Sequence, residues 1–247
     1  MIRLGKLIQS LAVTVMRPDD LIEFSRRSYA DSASVECWSR EDILDEGLTP
    51  EEETLLEYSP VRAGRLLLLG IGGGREAIAL AKEGFRVTGV DFIVGMVESA
   101  KANAARRGIS LNGLVQEISR LDVPDESYDL VWLSARMYSC IPTRRRRIAM
   151  LRLIARALRA GGYFVCQFYW DPRRPPRYLT CLHHAFAWLS AGHLRFEPGD
   201  TLFFGKEFLH AFADRALVNE EFSEGGFTVL HWSVSDENQS GGAVLQK

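Results

Sequence analysis

Gly70, Gly72 and Gly74 stand at alternate positions after four leucines, Leu66 to Leu69, and before the helix-like run REAIALAKEG. Glycines at such a strand-to-helix turn permit positive φ and let the backbone come close to a ligand, while the free N–H groups of the helix start point at whatever sits there. The chemistry on offer is binding by main chain. A phosphate-binding P-loop needs Gly-Lys-Ser/Thr at its end, and Gly74 is followed by Arg75 and Glu76. The dinucleotide fingerprint G-x-G-x-x-G, begun at Gly70, needs a third glycine where this chain has Arg75. G-x-G-x-G remains, and alone it also fits a purely architectural turn. Asp91 narrows the choice. It ends the next apolar run, FRVTGVD, about 20 residues beyond the loop, the spacing of an acid that accepts hydrogen bonds from ribose hydroxyls. Loop and acid together favour an adenosine-type ligand over free phosphate.

The elements that must hold these residues follow from periodicity. Short apolar runs (LLLL, FRVTGVD, GLVQEI, LVWLS, YFVCQFYW) alternate with helical patterns (REAIALAKEG, VGMVESAKANAARRG, TRRRRIAMLRLIARALRAGG). This rhythm implies an α/β domain, a parallel sheet with helices on both faces and right-handed crossovers. The rhythm breaks from Asp171 to about Phe204, a stretch rich in Pro, Arg and aromatics with one helical piece, LTCLHHAFAWLSAG; an insertion of this length reads as a lid. A helix and strand, DRALVNEEFSEGGFTVLHWSV, follow, and GGAVLQK closes the chain as an antiparallel edge.

The ordered series of motifs resembles the class I S-adenosylmethionine-dependent methyltransferases of the small-molecule type. LLLLGIGGGREAIALAKEGFRVTGVDFIVGMVESAKANA is similar to their first two motifs, VQEISRLDVPDESYDLVWLS to the third, LIARALRAGGYFVCQ to the turn into strand five, and EEFSEGGFTVLHW to the late helix and strand. The resemblance implies a doubly wound, Rossmann-like, seven-stranded sheet, mostly parallel with an antiparallel C-terminal edge strand. It divides the chain into an N-terminal helical cap, 1–57, and a methyltransferase domain, 58–247, with the lid at about 171–204. It also implies S-adenosyl-L-methionine as cofactor: Gly70, Gly72 and Gly74 around the methionine moiety, Asp91 on the ribose, Phe92 on the adenine face, Glu117 and the Ile118 backbone on the adenine edge, Ser134 near the sulfonium, and Tyr29 folding over from the N-terminal segment. Relatives usually carry an acid two residues before the first glycine; this chain has Leu68.

Methyl transfer from a sulfonium is an in-line displacement that requires positioning and exclusion of water, with a general base where the acceptor is a hydroxyl. Tyr138, His183 and His210 are the candidates for that base. Two further readings compete: a cofactor-binding protein without catalysis, and an NAD(P)-dependent oxidoreductase, which Arg75 opposes.

Length and composition agree with one sizeable domain: 247 residues, 47% hydrophobic and 25% charged, with a net charge of −2 that gives no global attraction to nucleic acid. The run Arg144 to Arg147 reads as the solvated first turn of a helix rather than a nucleic-acid footprint, whereas Arg173, Arg174 and Arg177 in the insertion could attract an anionic acceptor. Four dispersed cysteines suggest neither a zinc site nor a disulfide framework, and no metal is expected; a cytoplasmic, reducing location is. Leu4, Leu7, Ile8, Leu11 and Val15 fall at helical spacing in the first 18 residues, read as a retained amphipathic helix, and no segment is long and apolar enough to span a membrane. The expected partner is a small-molecule acceptor; the oligomeric state stays open.

Overall fold

The computed structural model describes residues 2–173 and 176–247, with side chains from Ile8 onward, so Arg174 and the Leu4 and Leu7 side chains lie outside the described residues. Five helices precede the first strand: α1 (Ile2–Val15), α2 (Pro18–Tyr29), α3 (Ser32–Trp38), α4 (Glu41–Asp45) and α5 (Pro50–Tyr58). Their starts are written locally. Pro18 and Pro50 occupy first-turn positions whose N–H would be unused, the Asp31 side chain caps α3, and Thr49 with Glu52 forms a capping box on α5.

The alternating part follows as β1 (Gly64–Leu69), α6 (Arg75–Lys82), β2 (Phe85–Asp91), α7 (Val94–Arg106), β3 (Asn112–Val115), β4 (Tyr128–Leu133), α8 (Arg144–Ala157) and β5 (Leu158–Tyr169). After it come α9 (Arg177–Ser190), a hairpin of β6 (Asp200–Phe203) and β7 (Glu207–His210), α10 (Arg215–Glu224), β8 (Thr228–Ser235) and β9 (Ser240–Gln246). The main sheet has seven strands in the order β3-β2-β1-β4-β5-β9-β8, the first five parallel. β9 is antiparallel to both neighbours. The C-terminal strand is therefore the antiparallel one, yet it lies one place in from the edge: β8 takes the edge because the β8–β9 hairpin folds back so that β9 fills the open side of β5.

Four consecutive leucines make sense in a sheet covered on both faces. Leu67 and Leu69 enter one core with Met150, Ile154, Val218 and Phe222 of α8 and α10, while Leu66 and Leu68 enter the opposite core with Ala77, Leu80, Val97 and Ala100 of α6 and α7.

The N-terminal segment divides. α3, α4 and α5 pack on the main domain, against α7, α6 and β9 respectively, whereas α1 and α2 join the insertion. Val13, Leu21, Phe196, Leu202 and Phe208 form a separate small core that unites them with the β6–β7 hairpin. The insertion thus extends beyond Phe204 to His210, and with α1 and α2 it builds a cap tied to the end of β5 through Tyr169–Phe203 ring contact and the Trp170–Phe212 bridge.

The arginine run departs from the sequence expectation. Arg144 and Arg146 are partly exposed and pair with Glu224 and Asp19, but Arg147 is fully buried, forked onto Glu221 (2.8 Å at both contacts) and bonded to Glu197 at 2.6 Å. Two carboxylates and the Ile141 carbonyl satisfy its guanidinium, and this allows a charge in the interior.

Candidate functional site

The parallel register sets Leu69 beside Val90 and Leu133, so the chain leaves β1, β2 and β4 at one level, and Gly70, Asp91 and Ser134 meet there. Gly70 and Ile71 N–H donate to the Val90 carbonyl, Gly72 N–H donates to Asp91 Oδ2 at 3.1 Å, and Ile93 N–H donates to Asp91 Oδ1 at 3.0 Å. Asp91, 8% exposed, fastens the loop as well as facing it. Burial pushes its carboxyl up, and the backbone donors oppose that rise.

The glycines serve different ends. Gly70, Gly72 and Gly74 all have left-handed φ (+82°, +51°, +102°). A Cβ on Gly70 would collide with the Met137 thioether, one on Gly73 with the Trp38 carbonyl, and one on Gly74 would press on Ala100 at 3.2 Å. A Cβ on Gly72 meets nothing within 4 Å. Gly72 is where the loop opens onto free space, while Gly73 admits the end of α3.

Leu68 is completely buried in the core beneath α6. The buried carboxylate beside the loop belongs to α6. Glu76, in the first turn of α6 and 4% exposed, accepts from Ser134 Oγ at 2.5 Å and from Ala135 N–H at 3.3 Å. Burial, reinforced by the nearby Glu52 charge, pushes its pKa up to about 7. Burial also works to raise Glu52, but Arg75 grips it bidentately at 2.7 and 2.8 Å and holds it low. Sequence reasoning missed Glu76. Its signal was an acid just past the glycine loop, where the helix N-terminus favours negative charge.

The adenine-side candidates line up along the next turn. Phe92 is half-buried, Ile118 is buried in a short 3-10 turn, and Glu117 accepts from Ser119 Oγ with Arg120 at 3.7 Å. Gln116 N–H donates to the Asp91 carbonyl at 2.9 Å, which ties this turn to β2.

The remaining candidates have other engagements. Tyr29 donates to Glu207 Oε1 at 3.0 Å, and Cys140 Sγ donates to Glu207 Oε2 at 3.7 Å. Tyr138 is fully buried and donates to Glu221 at 2.7 Å. His183 bonds the Leu179 carbonyl and Ser10 Oγ and stacks on Phe196. His210 holds Asp200 through Nδ1 at 2.7 Å; burial and the Arg147 charge push its pKa down to about 4, so the ring is neutral. Glu207 was not foreseen. It stands across from the 3-10 turn Met137–Cys140, whose first residue covers Gly70 and whose last contacts Glu207; burial raises its carboxyl. The turn thus runs from the residue that covers Gly70 to the one that meets Glu207. A surface cleft of about 800 Å³ between α4, α5 and α6 includes none of these residues in its lining. Among the described residues no cluster of three or more His, Cys, Asp or Glu could hold a metal ion, and no helix is long and apolar enough to cross a membrane.

Residues 66–162 match the model of a methyltransferase domain family. The chain is 38% identical over 91 residues to an S-adenosyl-L-methionine-dependent Diels-Alderase of Talaromyces variabilis, covering 35% of this chain and 31% of that protein. It is 41% identical over 66 residues to a ubiquinone biosynthesis O-methyltransferase of Rickettsia conorii, covering 27% and 22%. The matches thus span a third or less of these curated relatives. Among solved structures, an S-adenosylmethionine-dependent methyltransferase from Methanosarcina mazei superposes with a TM-score of 0.62 at 19% identity, over 81% of this chain and 98% of the other. One from Aquifex aeolicus gives 0.58 at 16%, over 87% and 98%. These likenesses establish the fold.

Proposed function

We propose that this chain, a class I S-adenosylmethionine-dependent methyltransferase, moves the cofactor's methyl group to a small-molecule acceptor by in-line displacement. The observation that carries the reading is the open face of Gly72 beside the Asp91 carboxylate, within the segment matched by the family model.

The residues suit the cofactor. Two of the roughly four acceptor positions of the Asp91 carboxylate are used by backbone N–H groups, so lone pairs remain for ribose hydroxyls. Gly70, Gly72 and Gly74 would shape the methionine side with Ser134, Phe92 would offer adenine an apolar face, and Glu117 and the Ile118 backbone would address its edge. Bound there, S-adenosylmethionine supplies a methyl group on a cationic sulfur. The chain's own work is to orient the acceptor, exclude water and take up a proton.

Glu207 is the proposed proton acceptor, with Tyr29 as its orienting partner. A carboxylate raised by burial is a better base than an exposed one, and Oε2 is held only by a long thiol contact. The Tyr138 hydroxyl and both ring nitrogens of His183 are occupied elsewhere, and His210 is held on Asp200 through Nδ1 with Nε2 3.9 Å from Glu197. A cytoplasmic location is a companion proposal, supported by four free cysteines, two of them exposed.

Titration calorimetry against S-adenosylmethionine and NADH tests the cofactor, and a metabolite screen with methyl-labelled cofactor tests transfer. Binding of the first with labelled product is the expected result. Heat from NADH alone would return the oxidoreductase reading, and binding without any labelled product would favour a non-catalytic one.

A further inference from the structure

The outward face of α9 carries a run of exposed apolar side chains. α9 buries His183 and Ala187 on the side that packs against α1. Its other side exposes Tyr178 (70%), Leu182 (42%), Phe186 (41%), Trp188 (74%) and Leu189 (72%). At 3.6 residues per turn these five fan over an arc of about 160°. Together they offer on the order of 500–700 Å² of apolar surface, at or above the largest patch of an ordinary monomer. Ile8 and Val15 of α1 and Leu194 beyond α9 are also more than half exposed.

Charge is as one-sided as hydropathy. Residues 1–18 and 172–196 contain no Asp or Glu, in a chain where acids outnumber bases 32 to 30; of their described cations Arg17, Arg177 and Arg195 are exposed, while Arg173 is paired with Asp171 at 2.7 Å. Exposed Arg177 opens α9, and exposed Arg195 follows its end by five residues, lining a cleft with Glu197 and Glu224. A second copy of the chain is a poor occupant: a two-fold contact would set these cations against their own counterparts with no carboxylate in either segment to separate them. An anionic lipid surface meets both properties, taking the aromatic and leucine side chains at the headgroup boundary and the arginines at the phosphates.

We propose that the exposed face of α9, flanked by arginines and acid-free, docks the protein peripherally on anionic membranes. The inference stands apart from the transfer reaction and does not depend on it.

Vesicle flotation of the full chain tests it, using phosphatidylcholine alone and phosphatidylcholine with roughly a third phosphatidylglycerol, at low and high salt. Binding to the anionic vesicles that weakens with salt is expected. The double variant Trp188→Glu/Leu189→Glu should lose at least tenfold in partitioning while its circular dichroism and S-adenosylmethionine affinity stay unchanged, since both side chains face solvent. Arg177→Glu should weaken binding to the anionic vesicles alone. Absence of vesicle binding, or binding indifferent to the double variant, would overturn the proposal. So would a concentration-dependent dimer that the double variant abolishes in a protein that ignores vesicles.

Discussion

Glu76→Gln isolates the buried carboxylate in the first turn of α6. The side chain keeps its shape, and the amide oxygen still accepts from Ser134 or Ala135, so packing changes little. What changes is the proton. A carboxyl whose folded pKa is about 7, against an ordinary 4.5, binds its proton more tightly folded than unfolded. Its contribution to stability is complete below about pH 4.5 and is lost as pH rises through about 7, to a total of ~3 kcal/mol at 1.36 kcal/mol per pH unit. That total is an upper bound, because Glu52 and Arg75 share the titration. Urea unfolding at about pH 5 and about pH 8 reads it directly. Relative to wild type, Glu76→Gln should gain on the order of 2–3 kcal/mol between the two conditions. The cofactor is cationic at its sulfur and its α-amino group, so wild-type affinity should also climb through pH 7 as Glu76 ionises, and the variant's should not. A stability difference identical at both pH values would mean that Glu76 is charged throughout, and the burial argument would be wrong.

Gly72→Val and Gly73→Ala should separate ligand space from packing. The first forces a branched residue into a left-handed backbone facing open space and should abolish cofactor binding. The second drives a methyl into the Trp38 carbonyl and should lower the melting temperature first, as a thermal scan beside calorimetry would reveal. Asp91→Asn leaves one of two backbone N–H donors facing an amide and removes the charge from the proposed ribose site. Cofactor affinity should fall about 30-fold, from ~2 kcal/mol, in a protein that circular dichroism finds folded; unchanged affinity would take Asp91 out of the site. Glu207→Gln should cut kcat by about 10²-fold with cofactor affinity intact, and Tyr29→Phe by less; equal loss of cofactor binding in both would recast the pair as structural.

The α/β order, the parallel sheet and the loop–acid pair were legible because each is local. Four buried leucines, alternate glycines and an aspartate about 20 residues on are set by backbone sterics and strand periodicity, whatever packs around them. The cap was partly legible. Residues 171–204 announced an insertion, but its union with α1 and α2 rests on Val13, Leu21, Phe196, Leu202 and Phe208 meeting across some two hundred residues of chain, and no periodicity records that. The same distance hid the chemistry. Arg147 looked like part of a solvated run until Glu221 and Glu197 closed on it, and Tyr29 was assigned to the cofactor with no sign that its hydroxyl meets Glu207. Glu76 looked like an ordinary helix residue until folding enclosed it against Ser134. Local sequence specifies φ, strand phase and helix starts. Which charges lose their water is a property of the closed tertiary structure, because desolvation is the sum of everything packed around a group.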